Sequence, residues 1–278
     1  MVDRPRIGIG AVSRATGIPE ATLRTWERRY GFPEPERTDG GHRLYDPAVV
    51  DDLVLVGRAL QLGHRPATVL GASRASLRAL VEGEDRVGTW LQAVRRLDVA
   101  ALDTALRAEL SRQGLRAFVL EGAVPFLRRV GEAWERGELR VFHEHFASER
   151  LRELLATLWR QGEHDLTRPS VVCGTLPGEQ HVLGLHMAAA LLSVAGCRIV
   201  FVGGDTPPED LAACARQASA VAVLVALSGI VDQREALRTL VEAVPAGVEV
   251  LTGGPGAPVS PGRRVDLADL SAEVASWV

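Results

Sequence analysis

Apolar residues fall in three different rhythms along the chain. From residue 1 to about 75 they form short helical stretches broken by glycine and proline. From about 80 to 163 the spacing is helical almost throughout, with few β-branched runs. From Arg168 onward, short Val/Ile/Leu runs alternate with Ala- and Leu-rich helical stretches. No internal repeat or low-complexity tract interrupts this order. The pattern predicts three domains, 1–77, 80–163 and 168–278, in a multidomain α and α/β chain.

In the first segment, Ile9 to Ala15 predicts a short helix that Gly17 ends in the left-handed cap conformation. Pro19 suits the first turn of a second helix, where its missing N–H is harmless. Leu23, Trp26 and Tyr30 share one apolar face of that helix, while Arg24, Thr25 and Arg28 fall elsewhere on its surface. Two short helices joined by a tight turn make a helix-turn-helix, whose second helix enters the major groove of DNA. Asp39-Gly40-Gly41 then signals a hairpin, with Arg37 and Arg43 on the two strands of a wing. Asp46 caps the following helix, Pro47 opens it, and it runs to about Leu62. Alternatively, these arginines only solvate a small helical domain.

The middle segment predicts helices at about 86–96, 98–113, 115–136 and 138–160, with Pro125 kinking the third. Short connections make these an antiparallel four-helix bundle. The last segment predicts strands at 170–174, 198–202, 220–227 and 248–252. They alternate with helices at 181–195, 211–217, 232–243 and 267–276. Such alternation implies a doubly wound parallel sheet of flavodoxin-like type, with ligands beyond the carboxyl ends of the strands.

Composition narrows the chemistry. The 278 residues are 46% apolar and 24% charged, as in an ordinary globular protein. The net charge of −3 argues against a generally basic nucleic-acid coat, but it is unevenly spread. Residues 1–66 hold ten arginines against nine acidic residues; the remainder hold 22 against 26. The chain contains no lysine, so Schiff-base and P-loop chemistry are excluded. Cys173, Cys197 and Cys214 are odd in number, lack metal-like spacing and suit a reducing cytosol. The N-terminus is too polar for a signal peptide, and the longest apolar run, Ala218 to Leu227, is too short to span a membrane. A cytoplasmic protein without a membrane partner is expected.

Two sets of residues exceed packing needs. Trp134 ends the third bundle helix, and His143, Glu144 and His145 open the fourth. Adjacent helix positions diverge by about 100°, so Glu144 and His145 cannot both face the bundle core. A Glu-His pair facing something outside the bundle is one reading, and a surface pair beside a core Trp is the other. His143-Glu144-His145 is a poor zinc motif, since helical metal histidines are normally four apart. In the last segment, Glu179-Gln180-His181-Val182-Leu183-Gly184 follows the first strand, Ser228-Gly229 the third and Gly253-Gly254 the fourth. A loop histidine opposite two small-residue loops leaves room for a large planar ligand with a buried tail. Any one of these loops taken alone reads equally as an ordinary turn.

Three resemblances follow from these strings. Residues Ile9 to Tyr45, with Thr22-Leu23-Arg24-Thr25-Trp26-Glu27-Arg28-Arg29-Tyr30-Gly31 and Gly40-Gly41-His42-Arg43-Leu44-Tyr45, resemble the MerR family of transcription regulators. The resemblance implies a winged head that binds pseudo-palindromic DNA as a dimer, with Arg14, Arg24, Thr25, Arg28, Arg43 and Tyr45 at the DNA. The C-terminal loops resemble the B12-binding domain of methionine synthase and corrinoid proteins, whose motif is D-x-H-x-x-G, S-x-L and G-G. That implies His181 as the lower axial ligand of cobalt and Glu179 as its orienting partner. Ser228, Gly253 and Gly254 would line the slot for the displaced nucleotide tail, and Gly184 would also be at the cofactor. Glu179 replaces the family's Asp, and Gly-Ile follows Ser228 in place of x-Leu.

All three segments in this order resemble the CarH/LitR-type photoreceptor repressors, in which the bundle carries W-x9-E-H and Glu beside the ligand histidine also occurs. Trp134, Glu144 and His145 match that spacing. The resemblance implies adenosylcobalamin as chromophore, with methylcobalamin or hydroxocobalamin as further forms. It implies a dark tetramer (a dimer of dimers) on operator DNA that light disassembles, and no enzymatic activity. In these photoreceptors a histidine can follow the Trp and replace the lost adenosyl group; here that residue is Glu135. Water, His143 or His145 is then expected above the cobalt after light, or a loosely held photoproduct. Three other readings stay open: a cobalamin-sensing MerR-type regulator without a light response, a corrinoid methyl carrier, and a cobalamin transport or storage module, the last two disfavoured by the DNA-binding head.

Overall fold

The computed structural model describes residues 6–38, 40–162, 164–275 and 277. Asp39 in the predicted hairpin, Glu163 at the predicted end of the bundle and Ser276 at the predicted end of the last helix lie outside the described residues. The chain divides into two compact units, Met1–Thr89 and Trp90–Val278.

The first unit begins with β1 (Ile7–Gly8), α1 (Ile9–Thr16) and α2 (Glu20–Tyr30). Gly17 caps α1 at φ 71°, and its N–H donates to Ser13 O. The wing strands β2 (Glu36–Arg37) and β3 (Arg43–Tyr45) pair antiparallel, with β3 also pairing β1. Helix α3 (Pro47–Gln61) starts as predicted: Asp46 Oδ1 accepts from Ala48 N at 2.8 Å and Pro47 opens the first turn. A short α4 (Pro66–Val69) follows. Val12, Leu23, Trp26, Tyr45, Leu53 and Val56 form the core.

Helix α5 (Arg74–Arg96) carries the chain from the first unit into the second and is longer than the predicted 86–96. Gly83 and Gly88 fail to break it because the apolar stripe runs on through Leu77, Val81, Val87, Leu91 and Val94, all buried. Asp98 caps α6 (Val99–Gln113) through Ala101 N at 3.0 Å.

The third bundle helix runs on without a break but is not uniformly α-helical. It consists of α7 (Leu115–Ala117), a π-helical turn (Phe118–Ala123) and α8 (Val124–Glu135). Pro125 has no N–H to donate, and its ring would crowd the carbonyl one turn back, so the helix widens just before it. Helix α9 (Val141–Trp159) completes the layer and continues into a 3₁₀ turn (Arg160–Gly162). Trp90 and Phe126 meet edge to face at 5.5 Å in the bundle core, beside Phe118, Leu106 and Leu151.

The α/β layer runs β4 (Ser170–Gly174), α10 (Leu183–Val194), β5 (Arg198–Gly203), α11 (Pro208–Gln217), β6 (Ala220–Ala226), α12 (Arg234–Ala243), β7 (Glu249–Gly253), β8 (Arg263–Arg264) and α13 (Leu270–Val274). Its strands are all parallel in the order β5-β4-β6-β7-β8. The order reverses at β4, so a crevice opens beyond the carboxyl ends of β4 and β6. The bundle packs on this layer through α9 against α10. There Trp159 stacks on Phe201 at 5.0 Å and donates from Nε1 to His186 Nδ1 at 3.1 Å.

Candidate functional site

Helix α10 begins at Leu183, so His181 sits on the loop leaving β4. Glu179, two residues earlier, is buried and holds that loop together. Its Oε1 accepts from the backbone N of His181 at 2.9 Å and pairs with His181 Nδ1 at 2.6 Å. Its Oε2 accepts from the backbone N of Ser228 at 3.0 Å and from Ser228 Oγ. Burial by itself would raise the Glu179 pKa. The hydrogen bonds from Ser228 and His181 outweigh it and hold the carboxyl down to about 2. A carboxylate at Nδ1 selects the tautomer of the neutral ring in which Nδ1 carries the proton and Nε2 the lone pair. The imidazole itself is 67% exposed.

The loop has further struts that its local sequence does not announce. Thr175 Oγ1 donates to Glu179 O at 2.6 Å and accepts from Asp205 N at 3.0 Å. Asp205 Oδ1 in turn accepts from Gly178 N at 2.7 Å. Gly204 runs so close beneath that an added Cβ would meet Glu179 O at 3.2 Å.

Beside this loop lies a cavity of about 400 Å³, mostly apolar in lining. Gly184, Gly253 and Gly254 border it. Gly254 stands at φ 100°, and a Cβ there would meet Leu227 O at 2.5 Å, so only glycine gives this close turn. Ser228 is not among the residues that line the cavity. A hydroxyl beside an ionised, buried carboxylate is drawn to it, and Ser228 Oγ clamps Glu179 instead. Leu120 and Val124 of the bundle line the cavity too.

On the bundle, Trp134 is half-exposed at the end of α8. Glu144 Oε2 and His145 Nδ1 pair at 2.6 Å, repeating the carboxylate–imidazole couple of Glu179 and His181, and Ser148 Oγ donates to the other Glu144 oxygen at 2.6 Å. The Glu144–His145 pair faces outward, His145 being 71% exposed. His143 plays a different part, because its Nδ1 accepts from Arg140 N at 3.1 Å and fastens the start of α9. Among the described residues no cluster of three or more His, Cys, Asp or Glu side chains is arranged to hold a bare metal ion.

In the first unit, Arg24, Thr25 and Arg28 are exposed on α2, and Arg14 on α1. Arg43 is not a free arm of the wing. Its Nε donates to Glu27 Oε2 at 2.7 Å, and Arg37 reaches Glu27 Oε1 at 3.0 Å. These hydrogen bonds and charges hold the Glu27 carboxyl below its usual range. Glu27 therefore ties the wing to α2, a role that its sequence neighbours do not signal. Tyr45 is corrected outright: its side chain is fully buried in the core, so it presents nothing to DNA. Pairing of β3 with β1 turns that position inward.

A winged helix-turn-helix followed by a bundle and a flavodoxin-like sheet, with a carboxylate-backed histidine at the sheet's carboxyl edge, is the plan of a MerR-type regulator carrying B12-binding domains. Residues 8–72 match the MerR HTH family regulatory proteins, and residues 88–158 and 169–275 each match a B12 binding domain. The chain belongs to the family of the HTH-type transcriptional repressor CarH of Myxococcus xanthus, to which it is 33% identical over 91% of its length and 89% of the relative's. The HTH-type transcriptional repressor CarA of the same organism is 29% identical, covering 73% of this chain and 70% of that one. In fold, the monomethylamine corrinoid protein of Methanosarcina barkeri matches with a TM-score of 0.53 at 18% identity, covering 67% of this chain and 94% of that one. A MerR-type head implies DNA binding, and the B12-binding domains indicate a cobalamin cofactor. Among the described residues no helix is long and apolar enough to cross a membrane.

Proposed function

We propose that this chain is a light-responsive transcriptional repressor that holds adenosylcobalamin and binds operator DNA in the dark. The observation that carries the cofactor reading is the Glu179–His181 couple. It offers one nitrogen, Nε2, on the loop that leads into Gly184 of the glycine-bordered cavity. A single donor suits a metal already held by a macrocycle, which needs one axial ligand and not a protein cage. The residues present therefore fit the group. His181 would ligate the cobalt, Glu179 would keep that ring oriented, and Gly184, Gly253 and Gly254 would admit the nucleotide tail.

Bound adenosylcobalamin supplies a cobalt–carbon bond that visible light breaks. Trp134, Glu144 and His145 are the bundle residues that would pack over its upper face. They hold the bundle in its dark position only while they have that surface to pack on. Their release would loosen a tetramer whose several heads share one operator. Losing simultaneous contact removes avidity, on the order of 10²–10⁴ in apparent affinity. Arg24, Thr25, Arg28 and Arg14 are the exposed candidates for DNA contact, with Arg43 acting through the wing. Of the two histidines, His145 would be the better candidate for the vacated position: its Nδ1 donates to Glu144 and leaves the lone pair on Nε2, whereas His143 Nδ1 accepts from Arg140 N.

The test is direct. Protein loaded with adenosylcobalamin in the dark should elute as a tetramer and retard operator DNA, and illumination should abolish both. Equal behaviour in dark and light would reduce the reading to a cobalamin sensor. An unchanged spectrum of the illuminated protein after His145→Ala would remove His145 as ligand.

A further inference from the structure

The cavity is not built from the α/β layer alone. Leu120, from the π-helical turn, and Val124, from the start of α8, form part of its wall. Val124 is 40% exposed, an unusual position for a valine at the rim of a bundle core. Arg116 in α7 reaches across to the opposite wall, donating to Ala268 O at 3.1 Å. The widened turn before Pro125 thus sets an apolar pair from the bundle against a slot otherwise made of α10, β6, β7 and the segment after β8.

The lining has a definite chemistry. Arg264 and Asp266 are its charged members, and Arg264 already donates to Ala257 O at 3.2 Å. Among the described residues no hydroxyl, amide or imidazole side chain lines it. A flat apolar base would be matched on its faces, whereas the extra ring nitrogens of a purine would lose their water with only Arg264, already bonded to Ala257 O, to donate to them.

With cobalamin as the cofactor proposed for this site, we infer that the slot selects corrinoids by their lower base. It takes a benzimidazole-type base over a purine, and Leu120 and Val124 are the specificity-determining residues through which the bundle senses that the tail is present. Occupancy of the slot then fastens the π-helical turn to the sheet, independently of anything on the upper face of the corrin. A corrinoid without a tail would bind through His181 yet leave the turn loose.

Three corrinoids test this in the dark: cobalamin, its adenine-based counterpart and tailless cobinamide. Binding is read by absorbance and Trp quenching, and hydrogen exchange is followed over residues 116–124. The wild-type protein should prefer cobalamin over the adenine form by about 10- to 100-fold, the discrimination an apolar pocket achieves. Cobalamin, and not cobinamide, should slow exchange in the turn. The Leu120→Ala/Val124→Ala double variant should lose most of that preference and keep its cobinamide affinity. Arg116→Ala, which leaves the slot wall intact, should speed exchange in the turn without changing the order of preference. Equal affinity for the two bases overturns the selection, and equal loss of cobinamide and cobalamin affinity in the double variant overturns the role of Leu120 and Val124. If none of the three corrinoids binds the wild-type protein, the cobalamin reading itself fails and the selector with it.

Discussion

Each unit sets a functional side chain with a glutamate, and the two glutamates work by different physics. Glu27 on α2 is 19% exposed and draws in two wing arginines by charge. Glu179 is 1% exposed and holds His181 and Ser228 by hydrogen bonds made away from solvent, beneath an imidazole that is itself exposed. An ion pair near solvent is worth a fraction of a kcal/mol to about 1 kcal/mol and is screened by salt. A buried network is unforgiving, because removing one member strands another without a partner. The wing is therefore a compliant element that can adjust to a DNA groove, while the cofactor loop is a rigid one that presents a nitrogen in a fixed direction.

The largest effect that would sharpen this contrast is loss of the proposed axial ligand. His181→Ala should weaken cobalamin binding by more than about 100-fold, beyond what loss of an orienting partner does, and should remove the spectral signature of a histidine-ligated cobalt. Retention of that signature would disprove the assignment of His181. Next comes Glu179→Gln, which keeps the shape and one acceptor but loses the charge. Affinity should fall about 10- to 100-fold, with a smaller loss for Ser228→Ala, both measured by titration with cobalamin.

A third effect concerns how the bundle is seated on the sheet. Burial first, and then the positive charges of Arg152 and Arg160, hold the His186 pKa down to about 4, with Glu149 pulling the other way. His186 accepts the Trp159 indole N–H at Nδ1, so protonation there breaks a bond and buries a charge. Between pH 6.5 and 4 the unfolded chain binds a proton that the folded chain refuses. The stability from this group is complete above about pH 6.5 and is lost as the pH falls toward 4, by about 2 kcal/mol at pH 5. Urea melts at about pH 7 and 5 should record the loss, and His186→Asn, which retains an acceptor, should flatten it. Unchanged pH dependence in that variant would assign the loss to other groups.

The smallest effect falls on the compliant side. Glu27→Gln should weaken operator binding only a few-fold, about 1 kcal/mol or less, with the difference from wild type shrinking as salt rises. A gel-shift series over salt concentration checks this. A loss as large as that of an α2 arginine would mean that the wing is as rigid as the cofactor loop.

Local signals in the chain reach the structure largely intact. Gly17 caps its helix, Asp46 and Asp98 supply the caps expected of them, and Ser170–Gly174 forms the first strand of the parallel sheet. Each depends on a few neighbouring residues, so a window of sequence contains the cause. Glu179 and His181 are legible for the same reason, being two residues apart on one turn. Tyr45 is not, because its burial depends on β1 pairing across β3, and no pattern within Arg43-Leu44-Tyr45 contains that contact. Ser228 escapes a local reading because its partner lies 49 residues away in sequence. Thr175, Asp205 and Glu27 carry no spacing that singles them out.

The sequence by itself determined the order of the three segments, the helix-turn-helix, the alternation that makes the sheet parallel, and the histidine with its neighbouring carboxylate. These follow from periodicity, caps and turn residues acting over short range. Only the tertiary structure decided which oxygen of Glu179 meets Ser228 and how α9 is fixed to α10 through Trp159 and His186. It also decided that the bundle contributes Leu120 and Val124 to the slot. Those outcomes depend on which surfaces remain to be buried once the helices and strands exist, and that choice is made by packing between distant segments.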